Sequence, residues 1–468
     1  MLWNHWWNLV SQLRPACARN KTFLWMTTCL AGMTIRRDMM GVTSIVRALG
    51  LTAACYDRVL DFFHSPSLDL HKLTVAWRAL VFAHHPGILR VGGKPVLVGD
   101  GIKIAKAGRK MPAVKRLHQE SDSNTKPEYI FGHSCQAIAV LARALASVFA
   151  IPLTCRIHEG LVFSNRDHRT LLDKMVLLIN ALEIPEPFYF LADAYYSTGK
   201  IIRGLIAKGN HLVSRVRCNA VAYESAAPAS PDAPRQRGRP KKYGKKIKVL
   251  SLLDNADRIQ RAPSPIYDEK NVTIEFVVAD LLWRTVGILV RFVVVRHPHR
   301  GAIVLMTTDT SLPALEIIRM YGLRFKIEVS FKQAVHTIGT YAYHFWMAAM
   351  TPLRRVSGNQ YLHLKPKEYR DAVTRKLAAY HRHIQLGLIA QGLLHILAAI
   401  APRLIWRFFG SWFRTIRPGR APSELIAATA LGNALPEFLA DTRKAPNFVK
   451  FLRARIDPKR LEGSRLVA

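Results

Sequence analysis

The sequence predicts an α/β protein, a mixed β-sheet flanked by helical N- and C-terminal regions. Three observations predict it. Short apolar runs of strand length end on an acid at two places, residues 95–98 before Asp100 and residues 188–192 before Asp193. Two β-branched runs of strand type follow, at 272–278 and 286–295. Helical spacing of apolar residues governs the stretch from 1 to about 90 and the stretch from about 360 to 468.

In chain order, residues 43–49 and 56–63 set apolar side chains three and four apart, with Arg36, Arg37, Arg47 and Arg58 interspersed. Small helices with scattered arginines suit a DNA-end-binding region, and a packing domain with a solvated basic face fits the same pattern. The Asp100 strand comes next, with Gly99 and Gly101 bracketing the acid. Glycines there leave room for a close approach by a ligand or a nucleic-acid backbone. A carboxylate at the end of an apolar run is costly to bury unless it is paired or holds a metal.

The stretch after it carries Lys103, Lys106, Arg109, Lys110, Lys115 and Arg116, a density of cations that reads as surface and suits a phosphate backbone entering the site. Residues 129–141 and 148–157 read as strands, and 164–182 as an amphipathic helix with Asp167 as its N-cap. The Asp193 strand, a helix at 198–208 and a strand at 211–216 complete the series. Three strands, a helix, a strand, a helix and a strand form the order of a ribonuclease-H-like mixed five-stranded sheet. In that order the first and fourth strands are neighbours, which brings Asp100 and Asp193 together.

Residues 226–234 are rich in Pro, Ala and Ser and read as a linker. The basic run after them holds Arg237 and Arg239 in an Arg-Gly-Arg-Pro stretch, which can follow a minor groove or stay a solvated loop. A helix over 316–331 then aligns Tyr321, Arg324, Glu328 and Lys332 within about 40° of one line, either a metal-and-phosphate face or a salt-bridged surface. The expected regions are a helical DNA-binding region at 1–90, the first part of the catalytic core at 91–217, a β-rich insertion at 218–305, the rest of the core at 306–358 and a helical region at 359–468.

Composition bounds the function. The chain has 468 residues, half of them apolar, and a formal net charge of +36 from 68 Lys and Arg against 32 Asp and Glu. Such an excess implies a polyanionic partner, nucleic acid before a membrane surface. The longest nearly apolar run, 386–401, contains Gln391 and His395, is shorter than a spanning helix and reads as a buried helix. No basic start with a clean apolar stretch follows Met1, so no signal peptide is expected. Cys17, Cys29, Cys55, Cys135, Cys155 and Cys218 form no C-x-x-C pair and read as reduced core thiols of a cytoplasmic protein.

With Gly-Asp-Gly at 99–101, Leu-Ala-Asp-Ala at 191–194, and Tyr-x2-Arg-x3-Glu at 321–328 after a β-rich insertion, the chain resembles the DDE transposases of bacterial insertion sequences. The resemblance covers about residues 40 to 350. One branch adds a lysine seven residues beyond the glutamate; here that position is Val335, and Lys332 is the nearest substitute. The resemblance implies a ribonuclease-H-like fold with two Mg²⁺ ions (Mn²⁺ able to substitute) held by Asp100, Asp193 and Glu328. It implies cleavage at the element's ends and joining of the freed 3′ hydroxyl to target DNA, with a homodimer in the DNA complex, free in the cytoplasm or on the nucleoid. Tyr321, Arg324, Lys332, Lys103, Lys106, Arg109, Lys110, Arg237 and Arg239 would meet the DNA. A non-catalytic DNA-binding derivative and a structure-selective nuclease of the same fold remain open on the sequence.

Overall fold

A computed structural model describes residues 1–119, 127–227, 241–410, 419–441, 443 and 445–459. Five helices come first: α1 (Leu2–Val10), α2 (Asn20–Ile35), α3 (Val42–Ala48), α4 (Cys55–His64) and α5 (Leu70–His84). The strands β1 (Lys94–Ala105), β2 (Tyr129–Ala144) and β3 (Ser147–Ile157) lead to α6 (Leu171–Asn180). Then come β4 (Tyr189–Ala192), α7 (Gly199–Ile206) and β5 (His211–Val216). The insertion supplies β6 (Val221–Ser225), β7 (Tyr243–Lys248), β8 (Thr273–Trp283), β9 (Ile288–His297) and β10 (Gly301–Thr307). Helices α8 (Ala314–Gly322), α9 (Lys326–Gln333), α10 (Lys367–Ile400), α11 (Pro402–Phe409), α12 (Glu424–Ala440) and α13 (Pro446–Arg453) close the chain.

The chain divides into two compact units. The first comprises Met1–Leu89, Gly101–Ile184 and Ile327–Ala468, and the second Arg90–Asp100 and Pro185–Lys326. Strand β1 contributes to both.

The second unit is a sheet in the order β7-β6-β8-β9-β10-β5-β4-β1. Strands β1, β4 and β5 run parallel, with Val96 opposite Tyr189 and Tyr189 opposite His211, and β10 joins β5 antiparallel, with Leu305 opposite Arg215. The sheet is mixed, as the ribonuclease-H-like fold requires, and it carries the 1-4-5 half of that strand order. The inserted strands continue the same sheet outward from β5. Every residue of β4 is buried, which is why it reads as an unbroken apolar run. At its far edge β7 exposes Lys245, Lys246 and Lys248, charges that blunt an open strand edge.

The starts of the three parallel strands are tied to one buried acid. Asp309, 8% exposed, accepts from the Tyr189 hydroxyl at 2.7 Å and the Lys94 ammonium at 3.2 Å. Burial alone would raise its pKa, but hydrogen bonds from Ser311, Tyr189 and Lys94 hold the carboxyl below its usual range. This anchor sets the strand register on which the far ends depend.

In the first unit β2 and β3 form an antiparallel pair, and the last residues of β1 run beside β2, where the Lys106 amide donates to Phe131 O at 2.9 Å. This is the 1-2-3 half of the order. Helix α10 is buried on all sides from Ala379 to Ala398, apart from His381. By length and composition it could cross a membrane, yet 89% of its most apolar window is buried inside the protein, the signature of a core helix. The N-terminal tryptophans pack on the C-terminal helices: Trp3 donates to Leu431 O at 2.8 Å, and Trp7 stacks on Phe448 at 5.4 Å.

Several local expectations change. Helix α6 starts at Leu171, not near 164, and its cap is Thr170, which forms a capping box with Asp173; Asp167 instead pairs with Arg169 at 2.7 Å. The helix expected over 316–331 is broken at 323–325. There the amides of Leu323, Arg324 and Lys326 bond three residues back, to Met320, Tyr321 and Leu323 at 2.9 to 3.0 Å. Tyr321 and Arg324 therefore do not share a helical face with Glu328 and Lys332. Residues Ala334–Ile338 form a π-turn, so 3.6-residue arithmetic does not carry from Glu328 to Val335. Arg36 is 4% exposed and donates to Ile338 O and Gly339 O, which removes it from any DNA-facing surface. Of the cysteines, Cys218 is exposed while the other five are buried.

Candidate active site

Strand register puts the two aspartates side by side in the second unit. Val98 of β1 lies opposite Leu191 of β4, and the two acids come two residues later on each parallel strand. Neighbouring strands lie about 4.8 Å apart, so Asp193, just past the end of β4, comes beside Asp100, which lies within β1. Gly99 has a packing reason. A Cβ there would stand 2.2 Å from Cζ of Phe190, whose ring covers the strand. The residue makes room for a side chain and not, as the sequence suggested, for a ligand.

Asp193 is held from both ends. Its Oδ1 accepts from the Tyr195 amide at 3.1 Å, capping the short 3₁₀ turn Ala194–Tyr196, and its carbonyl accepts from the buried Ser214 hydroxyl of β5 at 2.9 Å. Asp100 accepts from Arg324: Nη1 stands 3.0 Å from Oδ2, both side chains 19% exposed. Tyr321 lies in the same field. Burial raises its phenol pKa and Asp193 adds to that, against the lowering influence of Arg324 and Arg215. The structure thus gathers Asp100, Asp193, Tyr321 and Arg324 in the second unit, and adds Arg215 of β5, which sequence reasoning missed. Its signal was a lone arginine interrupting the buried run 211–216.

Glu328 and Lys332 are both exposed on α9, in the part of that helix belonging to the first unit. Among the described residues no group of three His, Cys, Asp or Glu side chains is clustered as a metal site. The Asp100–Asp193 pair by itself offers two hard carboxylates, and Mg²⁺ is commonly held by one or two carboxylates plus phosphate oxygens, so the pair fits such an ion.

The basic stretch after β1 is less available than expected. Lys106 is buried, donates to the Tyr341 and Tyr343 carbonyls and lies 3.7 Å over the Tyr343 ring. Burial pulls its ammonium down to about 7. It is corrected from a phosphate contact to an internal strut. Lys103 donates to His118 O at 2.7 Å, Arg109 to Leu353 O at 2.7 Å and Lys110 to Ala348 O at 3.3 Å. Lys103 and Arg109 are exposed and Lys110 partly so. Arg237 and Arg239 lie outside the described residues.

Residues 156–335 match the protein family described as Transposase DDE domain, a span that includes Asp193, Tyr321, Arg324, Glu328 and Lys332 and begins after Asp100. No curated protein matches the chain. Among solved structures, the cryo-EM structure of the piggyBac transposase synaptic complex with hairpin DNA is similar over 96% of this chain and 82% of that one, with 10% identity and a TM-score of 0.34. The chain thus carries a stretch, residues 156–335, that matches a transposase DDE domain.

Proposed function

We propose that this chain is a DNA transposase that cuts the ends of its own element and joins the 3′ hydroxyl to target DNA, with Asp100 and Asp193 as metal-holding carboxylates. The observation that carries the reading is the register of β1 and β4, which brings the two acids to equivalent positions on neighbouring strands, with Arg324 paired to Asp100. Glu328 is the third carboxylate on the strength of the sequence pattern at 321–328. The pattern also favours two Mg²⁺ ions. When bound, a divalent cation would supply Lewis acidity for the phosphate and the attacking oxygen.

The protein's own groups divide the rest of the work. Asp100 within β1 and Asp193 just past β4 present anionic oxygens, one tied to Arg324 and the other fixed by Tyr195 and Ser214. Arg324 and Arg215 offer guanidinium donors that suit phosphate oxygens, and Tyr321 a hydroxyl that stays protonated at neutral pH. The net charge of +36 supplies attraction for DNA at long range.

The test is an end-nicking and strand-joining assay in Mg²⁺ with DNA carrying the element's terminal sequences. Asp100→Asn, Asp193→Asn and Glu328→Gln should each abolish cleavage while leaving DNA affinity within about threefold, because phosphate contacts elsewhere persist. Wild-type cleavage by any one variant would remove that residue from the site. Nicking without joining would make the protein a nuclease of the same fold.

A further inference from the structure

The first unit holds an open cleft of about 800 Å³ that the transfer reaction does not use, bounded by β3, α5, α6 and α10. Its charged lining is unbalanced. Arg156 donates only to neutral oxygens: Cys155 O at 2.8 Å, Gln385 Oε1 at 3.0 Å and Thr74 Oγ1 at 2.9 Å. Lys174 donates to the His158 carbonyl at 2.6 Å. Neither cation has a carboxylate at ion-pair distance among the described residues. The two acids of the lining are committed elsewhere, Asp167 to Arg169 at 2.7 Å and Glu159 to Lys115 at 3.3 Å. Arg156 is desolvated with no carboxylate beside it, Lys174 is drawn only at longer range by Asp167 and Glu159, and two cations bordering one cavity repel each other.

A second observation points the same way. The Thr154 hydroxyl lines this cavity, is 1% exposed, and has no hydrogen-bond partner. It follows a register shift in the β2–β3 pair, where Thr154 faces Ile138 and Pro152 faces Ala139, leaving Leu153 as the extra residue. Such bulges re-aim side chains. A buried hydroxyl without a partner forgoes a hydrogen bond that a bound acceptor would restore. Burial, with help from Lys174 and Arg156, pushes His158 down to about 3, so it is neutral at working pH, whereas Arg156, lowered by burial to about 10, keeps its charge.

We propose that this cavity binds a phosphate-bearing ligand of nucleotide size, its phosphate held by Arg156, Lys174 and the Thr154 hydroxyl. The volume lies within the range of small-molecule sites. The remaining wall includes Leu161, Leu178 and the exposed ring of Phe163, an apolar surface on which a base can rest. A free nucleotide and a nucleotide of a DNA strand share this chemistry.

Isothermal titration of the full chain with deoxyadenosine monophosphate, inorganic phosphate and a 5′-phosphorylated trinucleotide tests the assignment. The monophosphate should bind saturably, and more tightly than phosphate alone. Thr154→Val should weaken it by about fivefold, one hydrogen bond's worth, and leave the melting temperature of the unliganded protein unchanged, since that hydroxyl has no partner to lose. Lys174→Gln should weaken it by about tenfold or more. Competition by the trinucleotide would assign the ligand to a DNA strand, and its absence to the free nucleotide. No saturable binding of any probe, or wild-type affinity in Thr154→Val, overturns the proposal.

Discussion

Gly99→Ala puts the strongest geometric demand on the site. The new methyl carbon would stand 2.2 Å from Cζ and 2.6 Å from Cε2 of Phe190, about 1.2 Å inside the 3.4 Å at which ordinary contact begins. Phe190 is fully buried in a strand with no exposed face, so its ring has nowhere to turn. Overpacking by added methylenes costs about 1–3 kcal/mol, and an overlap this deep belongs at the upper end. Relief comes by parting β1 from β4, which moves Asp100 away from Asp193. We expect a fall of about 1 M in the urea midpoint, for a slope near 3 kcal/mol/M, and a loss of about a hundredfold in end cleavage. Phe190→Leu removes the clashing ring atoms, so the double variant should be more stable than the sum of the two single effects by at least about 1 kcal/mol. A Gly99→Ala protein within about 0.5 kcal/mol of wild type, or strictly additive effects, would refute the reasoning.

Other perturbations test neighbouring parts of the account. Lys106→Met reads the buried ammonium through pH. Because burial lowers its pKa from 10.5 to about 7, the folded state holds fewer protons than the unfolded between those values. Stability should therefore rise with pH there, by up to about 1.4 kcal/mol per unit, and the variant should flatten that slope in denaturation curves at pH 7.5 and 9.5; an unchanged slope would show that Lys106 is not desolvated. Lys332→Ala should weaken end binding and cleavage with little change in melting temperature, whereas lost stability with intact affinity would mark an i,i+4 pair with Glu328. Replacing Arg237 and Arg239 together by Ala should lower DNA affinity and reduce its salt slope by up to about one unit per lost phosphate contact; an unchanged slope would mean a solvated loop.

Two strands of the parallel core were legible in the sequence because residues 96–98 and 189–192 are buried on both faces and read as apolar runs. The strand expected at 211–216 is found as His211–Val216, and the strand before Asp193 ends at Ala192, whereas the strand expected to end at Asp100 continues to Ala105. The ribonuclease-H-like order follows from those elements alone. What failed depended on partners that periodicity cannot see. Lys106 sits in a run of cations, yet its ammonium lies over the Tyr343 ring and finds two carbonyls more than 230 residues away in the chain. Gly99 looked like a ligand clearance because the ring that needs the space, Phe190, belongs to another strand. The break at 323–325 carries no proline and only Gly322 as a marker, so tight turns replaced an expected helix without a strong local signal. Asp309 was invisible for the same reason, because it matters through the strands around it, and Arg215 showed only as a lone arginine in a strand.

Iron(II) substituted for Mg²⁺ measures most directly whether Asp100 and Asp193 hold the catalytic ion. Peroxide and ascorbate then generate hydroxyl radicals at the bound metal, which cut the nearby backbone. The account predicts cuts beside residues 100 and 193, suppressed by excess Mg²⁺ and absent in Asp100→Asn. Cuts confined to other parts of the chain, or cuts at these positions that survive Asp100→Asn, would contradict it.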